Sequence, residues 1–257
     1  MIPETSSSTI AGTRICGTMP RISGATKAIA ATMMKLVYDS TPRMVAMQGD
    51  GVELPIFELP VVILPGELLP LHIFEERYKR MIGHCLENAE PFGIVFRDEG
   101  GNAHRIGCMA RVTEVLERFE DGRMNVVVAG EQPFKVLERF EAQDYPAGEV
   151  EPIEANDEAE QEEDPEAAGK AREAFAELVK RVSGESPDAG ELEAESSYGI
   201  AARVELPPET KQALLELRSE PDRMRVLGNA LRSLVAALAR SGEIAERAKM
   251  NGKVVVR

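Results

Sequence analysis

LPIFELPVVILPGELLPLHIF, residues 54–74, is the stretch on which the fold turns. It is dense in Leu, Ile, Val and Phe, yet Pro55, Pro60, Pro65 and Pro70 interrupt it every few residues. Proline removes a ladder donor, so the run cannot form one central strand. It reads instead as short extended pieces joined by tight corners. Leu64-Pro65-Gly66-Glu67 has the Pro-then-Gly order of a β-turn. After the turn Leu69, Leu71 and Ile73 alternate with Pro70, His72 and Phe74, the period of a strand with one buried face.

At Glu75 the period lengthens. Tyr78, Met81, Ile82, Cys85 and Leu86 recur at the spacing of one helical face, with Glu75 and Glu76 in the first turn, where the helix dipole favours negative charge. Asn88 and Pro91 mark the end. Strand patterning then returns in Phe92–Phe96, in Arg105–Phe119 and, across an Asp121-Gly122 hairpin signal of the type I′ kind, in Arg123–Ala129 and Phe134–Phe140. Gly107 and Gly130 inside these strands point to bulges or closely packed backbone, as a small curved barrel requires.

Between Glu149 and Glu166 stand ten acids and no base, a run that repels itself and reads as a mobile linker. Asp164-Pro165 supplies an N-cap followed by proline at N1. The helix it opens has Ala171, Ala174, Phe175, Leu178, Val179 and Val182 as its apolar stripe and stops at Ser183-Gly184. Glu191–Val204 reads as a second helix, the stretch after Leu206-Pro207-Pro208-Glu209 as a third, and Pro221-Asp222 opens a fourth with Leu227, Leu231, Leu234, Val235 and Leu238 inward. Beyond Ser241 a loosely held tail is expected. The expected organisation is a leader at 1–50, a β unit at 53–153, an acidic linker at 154–165, a helical bundle at 166–240 and a tail at 241–257.

The chain has 257 residues, with 30 Lys and Arg against 44 Asp and Glu, a net charge of -14 and a pI near 4.9. That balance argues against a phosphate-backbone binder and against adsorption to anionic lipid, since both select Lys and Arg. No apolar run reaches the length of a transmembrane helix. Residues 1–50 differ from the rest: they are rich in Ser and Thr and carry five bases against three acids. They read as a transit peptide, a disordered leader or the product of an upstream start codon. Cys16, Cys85 and Cys108 form no C-x-x-C pair, which fits a reducing compartment, and Cys85 and Cys108 read as buried small hydrophobes.

Catalytic motifs are missing. There is no G-x-x-x-x-G-K-[ST], no G-x-G-x-x-G, no G-x-S-x-G and no H-E-x-x-H. Three histidines (His72, His84 and His104) are too few and too scattered for a catalytic zinc site, and His72 and His84 read as partly exposed structural residues. No Trp occurs, and the aromatics fall in periodic segments rather than among Lys and Arg as in a base-stacking platform. The expectation is therefore binding without turnover, with no catalytic residue, no cofactor and no metal.

In order along the chain, the pieces resemble the amino-terminal substrate-recognition domain of the Lon proteases, which also occurs as stand-alone proteins and within cereblon. The resemblance rests on Leu54–Phe57, Leu64–Glu67, Leu69–Glu75 and the helix start Glu76-Arg77-Tyr78. It continues through Phe92–Val95, Ile106–Val112, Asp121–Arg123, Val126–Glu131 and Leu206–Glu216, and covers roughly residues 53–240. It implies an α+β fold: a PUA-like antiparallel β pseudo-barrel with one early helix, followed by a carboxyl-terminal helical bundle. The family-signature positions, structural or peptide-binding, are Pro65, Gly66, Pro70, Leu71, Phe74, Glu75, Arg77, Tyr78, Gly107 and Gly130. Gln132 stands where the family usually has a base. The implied role is cytoplasmic and non-enzymatic: binding unfolded or hydrophobic polypeptide, or a protease or chaperone partner, without the ATPase and Ser-Lys peptidase modules of full-length Lon. The alternative is RNA binding, since PUA-like barrels elsewhere bind RNA; a hydrolase with an unrecognised site is a third reading.

Overall fold

The computed structural model describes residues 13–14, 51–142, 145–154 and 164–251, with side chains up to Ser241. The rest of the leader, Cys16, the middle of the acidic linker and the residues after Asn251 lie outside the described residues. Seven strands, β1 (Thr13–Arg14), β2 (Val52–Leu59), β3 (Leu68–Ile73), β4 (Phe92–Arg97), β5 (Ala103–Arg118), β6 (Met124–Ala142) and β7 (Tyr145–Pro152), make one sheet. Helix α1 (Glu76–Asn88) lies between β3 and β4. Five more follow β7: α2 (Pro165–Ser183), α3 (Ala189–Glu193), α4 (Ser197–Ala201), α5 (Pro208–Glu216) and α6 (Glu220–Asn251).

The strand order is β1-β3-β6-β5-β4-β2-β7, and β7 pairs back onto β6, so β2, β4, β5, β6 and β7 close a ring. All contacts are antiparallel except β2 with β4, which runs parallel because β3 and α1 intervene. On the edge away from β5, long β6 serves two neighbours: its first half pairs with β3, its second with β7. All five ring strands contribute to a compact cluster of Leu54, Ile56, Val95, Met109, Phe134, Val136 and Val150, which fills the ring. A larger core on the outer face joins β2–β6 and α1 to α2–α6 through Phe57, Tyr78, Phe92, Phe175, Leu214 and Leu227.

Phe134 is the centre of the ring filling. A Cβ on Gly93 would lie 2.5 Å from its Cζ, and one on Gly107 would lie 2.8 Å away. Two flat strand positions thus leave room for one ring, the role of the close-packed glycine expected at Gly107. The Leu64–Glu67 turn is a type II turn, with Gly66 at φ +79° and Glu67 N–H donating to Leu64 O at 3.0 Å. It is fastened to Gly130 by two bonds: Gly66 N–H to Gly130 O (2.8 Å) and Gly130 N–H to Glu67 O (2.9 Å). A side chain at Gly130 would meet Leu64 O at 2.2 Å, so the turn can approach only a glycine.

Several details differ from the sequence reading. The Asp121-Gly122 hairpin is not type I′, which needs positive φ at both central residues, because only Gly122 (φ +81°) has it. Gly122 N–H donates to Phe119 O and Phe119 N–H to Arg123 O, the pattern of a type I turn closed by a glycine bulge. Glu191–Val204 is two short helices, because Ser196 turns out of the helix and caps α4 by accepting from Gly199 N–H. Helices α2 and α6 pack side by side in the same direction: Asp164 meets Arg225, and Gly228 lies against Ala171, where an added Cβ would be 3.3 Å from Ala171 Cα. Val182 and Leu238, expected on the inward stripes, are 73% and 43% exposed. Both lie where this pair extends past Leu178 and Val235, its last buried rungs.

A buried polar knot holds α4 against the start of α6. Glu220 accepts from Ser197 N–H (2.6 Å), Ser197 Oγ (2.7 Å) and Arg223 Nε (2.9 Å), while Arg223 also donates to Leu217 O at 3.0 Å. Arg223 further covers the Tyr198 ring at 4.7 Å. With its charge shared this way, Arg223 is tolerated in the core.

Candidate functional site

An open groove of about 990 Å³ lies at one end of the ring. Its origin is a ladder that stops early. Strands β2 and β7 pair from Val52↔Val150 to Pro55↔Ala147 and no further. The next rung would pair Ile56 with Pro146, which has no N–H to donate, and β2 turns instead to Gly93 of β4. Beyond that point β2 keeps only its parallel partner β4, from Ile56↔Gly93 to Leu59↔Phe96. In a parallel ladder every second residue turns its N–H and C=O to the opposite side, here toward the wedge. The groove is therefore floored by a strand edge, with Ile56 and Glu58 from β2, Pro60 just after it, and Pro146 and Ala147 from β7.

The remaining walls come from four places. Helix α1 gives Arg77 and Tyr78, β4 gives Phe96 and Arg97, the following turn gives Asp98–Gly101, and β6 gives Arg139–Glu141. Pro208 and Glu209, at the start of α5, close one end. Tyr78 packs on Phe57 with ring centroids 4.2 Å apart, and the Arg77 guanidinium lies 4.5 Å above its ring. Burial raises the Tyr78 pKa, with Arg77 opposing, so the phenol stays neutral.

The arginines of the groove are held from within. Glu58, little exposed, takes Arg97 Nη2 and lies 3.6 Å from Arg139 Nε. Arg97 Nη1 also donates to Gly101 O (2.7 Å) and Arg139 Nη2 to His104 O (2.6 Å). Arg77 Nε donates to Glu75 at 2.8 Å. Around them Asp98, Glu99, Glu141 and Glu209 line the rim. Nothing in this set resembles a nucleophile with its base, and no group of three or more metal-ligating side chains occurs among the described residues.

Of the ten signature positions, the groove gathers Arg77 and Tyr78, with Glu75 behind them. The others lie elsewhere. Pro65 and Gly66 form the turn on Gly130, and Gly107 lies under Phe134. Pro70 and Leu71 sit in the β3–β6 ladder opposite Val127 and Val126. Phe74 stacks on His72 (5.9 Å), whose Nδ1 meets Asn125 Oδ1 at 2.6 Å. Ile56 and Glu58, from the Pro-rich run, and Arg97, Arg139 and Phe140, which sequence reasoning did not single out, supply much of the floor and the ion pairs. Only the prolines, read as ladder breakers, signalled them.

Residues 53–232 match the family model of the ATP-dependent protease La (LON) substrate-binding domain. The chain belongs to this family. It is 28% identical over 216 residues to Lon protease 2 of Myxococcus xanthus and 25% over 215 residues to the Lon protease of Paraburkholderia phytofirmans. These matches cover 78% and 76% of the chain but 26% of either protease, so the chain spans about a quarter of its curated relatives. No protease or ATPase domain is matched. Among solved structures the fold is similar to the N-terminal domain of Mycobacterium avium complex Lon protease (TM-score 0.56, 18% identity, 70% of this chain and 98% of that one). It is also similar to a Lon N-terminal domain protein from Xanthomonas campestris (TM-score 0.52, 23% identity, 68% and 96%). As a LON substrate-binding domain, the chain has a fold whose ring and helices answer the expected architecture. No described helix is long and apolar enough to cross a membrane.

The two described thiols of this domain are buried. Burial pushes the Cys85 pKa up to about 11, and the Cys108 pKa is raised by the same cause. Both acids hold their protons more tightly folded than unfolded, so their contribution to stability is full below the ordinary thiol value of 9.0. It is lost as pH rises through about 11 for Cys85. The expected result for Cys16→Ser is no rapidly titrating thiol with Ellman's reagent at pH 8, two after denaturation, and a melting temperature that falls between pH 9 and 11.

Proposed function

We propose that this protein is a cytoplasmic, non-catalytic module with a PUA-like barrel that captures extended apolar segments of unfolded polypeptide in the β2–β7 wedge and presents them to a protease or chaperone. One observation carries this reading: the groove is floored by a strand edge left open where the β2–β7 ladder ends at Pro55 and Ala147. An extended chain laid there gains main-chain hydrogen bonds from β2, while alternate side chains lie over Phe140 and the exposed edges of Phe96 and Tyr78. Affinity then comes from backbone and apolar contact and not from a fixed sequence, as binding to many unfolded chains demands. In this reading the barrel at 53–153 and the helices at 166–240 act through the 154–165 tether, Arg77 and Tyr78 touch the client, and the other signature residues shape the groove. Five carboxylates and three arginines on the walls weigh against RNA.

Phe140, half-buried on the groove wall, is the cleanest probe. Phe140→Ser should leave the melting temperature within a few degrees and weaken binding of a permanently unfolded, carboxymethylated model protein roughly tenfold, measured by fluorescence anisotropy, since one aromatic anchor contributes on the order of 1–2 kcal/mol. Wild-type protein that fails to bind the unfolded chain, or a variant that binds it unchanged, contradicts the reading.

A further inference from the structure

The charges of the groove are unevenly committed. Arg97 and Arg139 converge on Glu58, and Arg77 is bonded to Glu75. Each of these cations is therefore already answered by a carboxylate of the protein itself. The rim differs. Glu99, Glu141 and Glu209 are exposed and come from three separate elements, the turn after β4, the end of β6 and the start of α5. Asp98 adds a fourth carboxylate, held below the usual carboxylate range by hydrogen bonds from Asn102 and therefore charged at every physiological pH. Across the walls as a whole, three arginines face five carboxylates. The groove thus combines an apolar floor, an open strand edge and an acidic rim, on a protein whose net charge is -14.

From this placement we infer the class of client: extended segments in which apolar residues are flanked by lysine or arginine. The inference rests on the groove being the polypeptide site. A basic flank meets Glu99, Glu141 or Glu209 without displacing any internal ion pair. An acidic flank meets like charge on the rim and finds arginines that must first release Glu58 or Glu75. The long-range field has the same sign and steers basic segments toward the protein. Because the rim charges are exposed, the selectivity is screened by salt, whereas the apolar contacts on the floor are not.

The test uses the full chain and three synthetic peptides with one apolar core (Val-Phe-Val-Leu) flanked on both sides by Lys, Ser or Glu, each bearing the same fluorophore. At low salt the Lys-flanked peptide should bind roughly tenfold more tightly than the Ser-flanked one, with the Glu-flanked one weakest, as expected for two or three exposed charge pairs at a few tenths of a kcal/mol to 1 kcal/mol each. At ~0.5 M salt the spread should collapse. The triple substitution Glu99→Gln, Glu141→Gln and Glu209→Gln should erase the preference and leave Ser-peptide affinity within about twofold. A Glu-flanked peptide that binds as tightly as the Lys-flanked one, or a preference that survives the triple substitution, overturns the inference and leaves the groove as the peptide site. No binding of any of the three overturns the groove reading itself, and the client class falls with it.

Discussion

Phe134→Ala should destabilise the protein by about 3–5 kcal/mol, read from urea or thermal unfolding, the range typical of large-to-small changes at a fully buried aromatic residue. The magnitude follows from where the ring lies. Phe134 has no solvent exposure and packs against Gly93 and Gly107, two strand positions with no side chains of their own to move into the space. Its neighbours in the ring cluster, Leu54, Ile56, Val95, Met109, Val136 and Val150, come from five strands whose pairing fixes their positions, so little collapse is available. Phe134→Leu should cost much less, since most of the volume is kept. The reciprocal substitution, Gly107→Ala, places a Cβ 2.5 Å from Ile94 O as well as 2.8 Å from Phe134, and should destabilise through overpacking. If Phe134→Ala cost less than ~1 kcal/mol, the ring would not be the packed unit described above.

Glu67→Ala should cost about 2–3 kcal/mol, because it breaks a largely buried ion pair between the barrel and the helical half. Glu67 Oε1 takes Lys211 Nζ of α5, with both side chains less than 15% exposed, and Glu67 Oε2 accepts from Leu64 N–H at 3.0 Å within the type II turn. Removing the carboxylate leaves Lys211 buried without its counter-charge, the situation in which a lost partner costs most. The control is a double-mutant cycle with Lys211→Met. The double variant should recover at least ~1 kcal/mol relative to the sum of the singles, because the cation that lacked a partner is gone as well. Additive effects would show that the two side chains do not interact across the interface.

These two sites also show how far the sequence could be read and where it stops. Local chemistry was legible. Pro65-Gly66 announced a turn, the spacing of Tyr78, Met81, Ile82 and Cys85 announced a buried helical face, and Asp164-Pro165 announced a helix start whose aspartate accepts from Ala167 N–H. The order of such pieces was enough to find the family. What the sequence could not show is why Glu67 follows Gly66, since Lys211 is 144 residues away. Periodicity likewise put Val182 and Leu238 inward, because a repeat of 3.6 carries no information on where the neighbouring helix ends. The hairpin at Gly122 failed for a similar reason. An Asp-Gly pair fits both a type I′ turn and a type I turn with a bulge, and strand register decides between them.

The groove is the clearest case. Each proline in residues 54–74 was read as a local break, but the wedge depends on where the β2–β7 ladder ends, at Pro55 opposite Ala147 with Pro146 next in β7. Glu58, Arg97 and Arg139 are unremarkable in sequence, one acid and two bases on three strands, and become a cluster only when the ring closes. Carboxylates are so common in this chain that no composition argument could separate the rim acids from the rest.

The central claim is that an extended client lies along β2 where β7 has left it. Amide hydrogen exchange on the wild-type protein, with and without a saturating unfolded client, tests it most directly. Added protection should concentrate at the amides of residues 56–59, Tyr145 and Ala147, with the 98–101 turn and Arg77-Tyr78 following. A client that binds with all new protection on other faces, and none at residues 56–59, would contradict it.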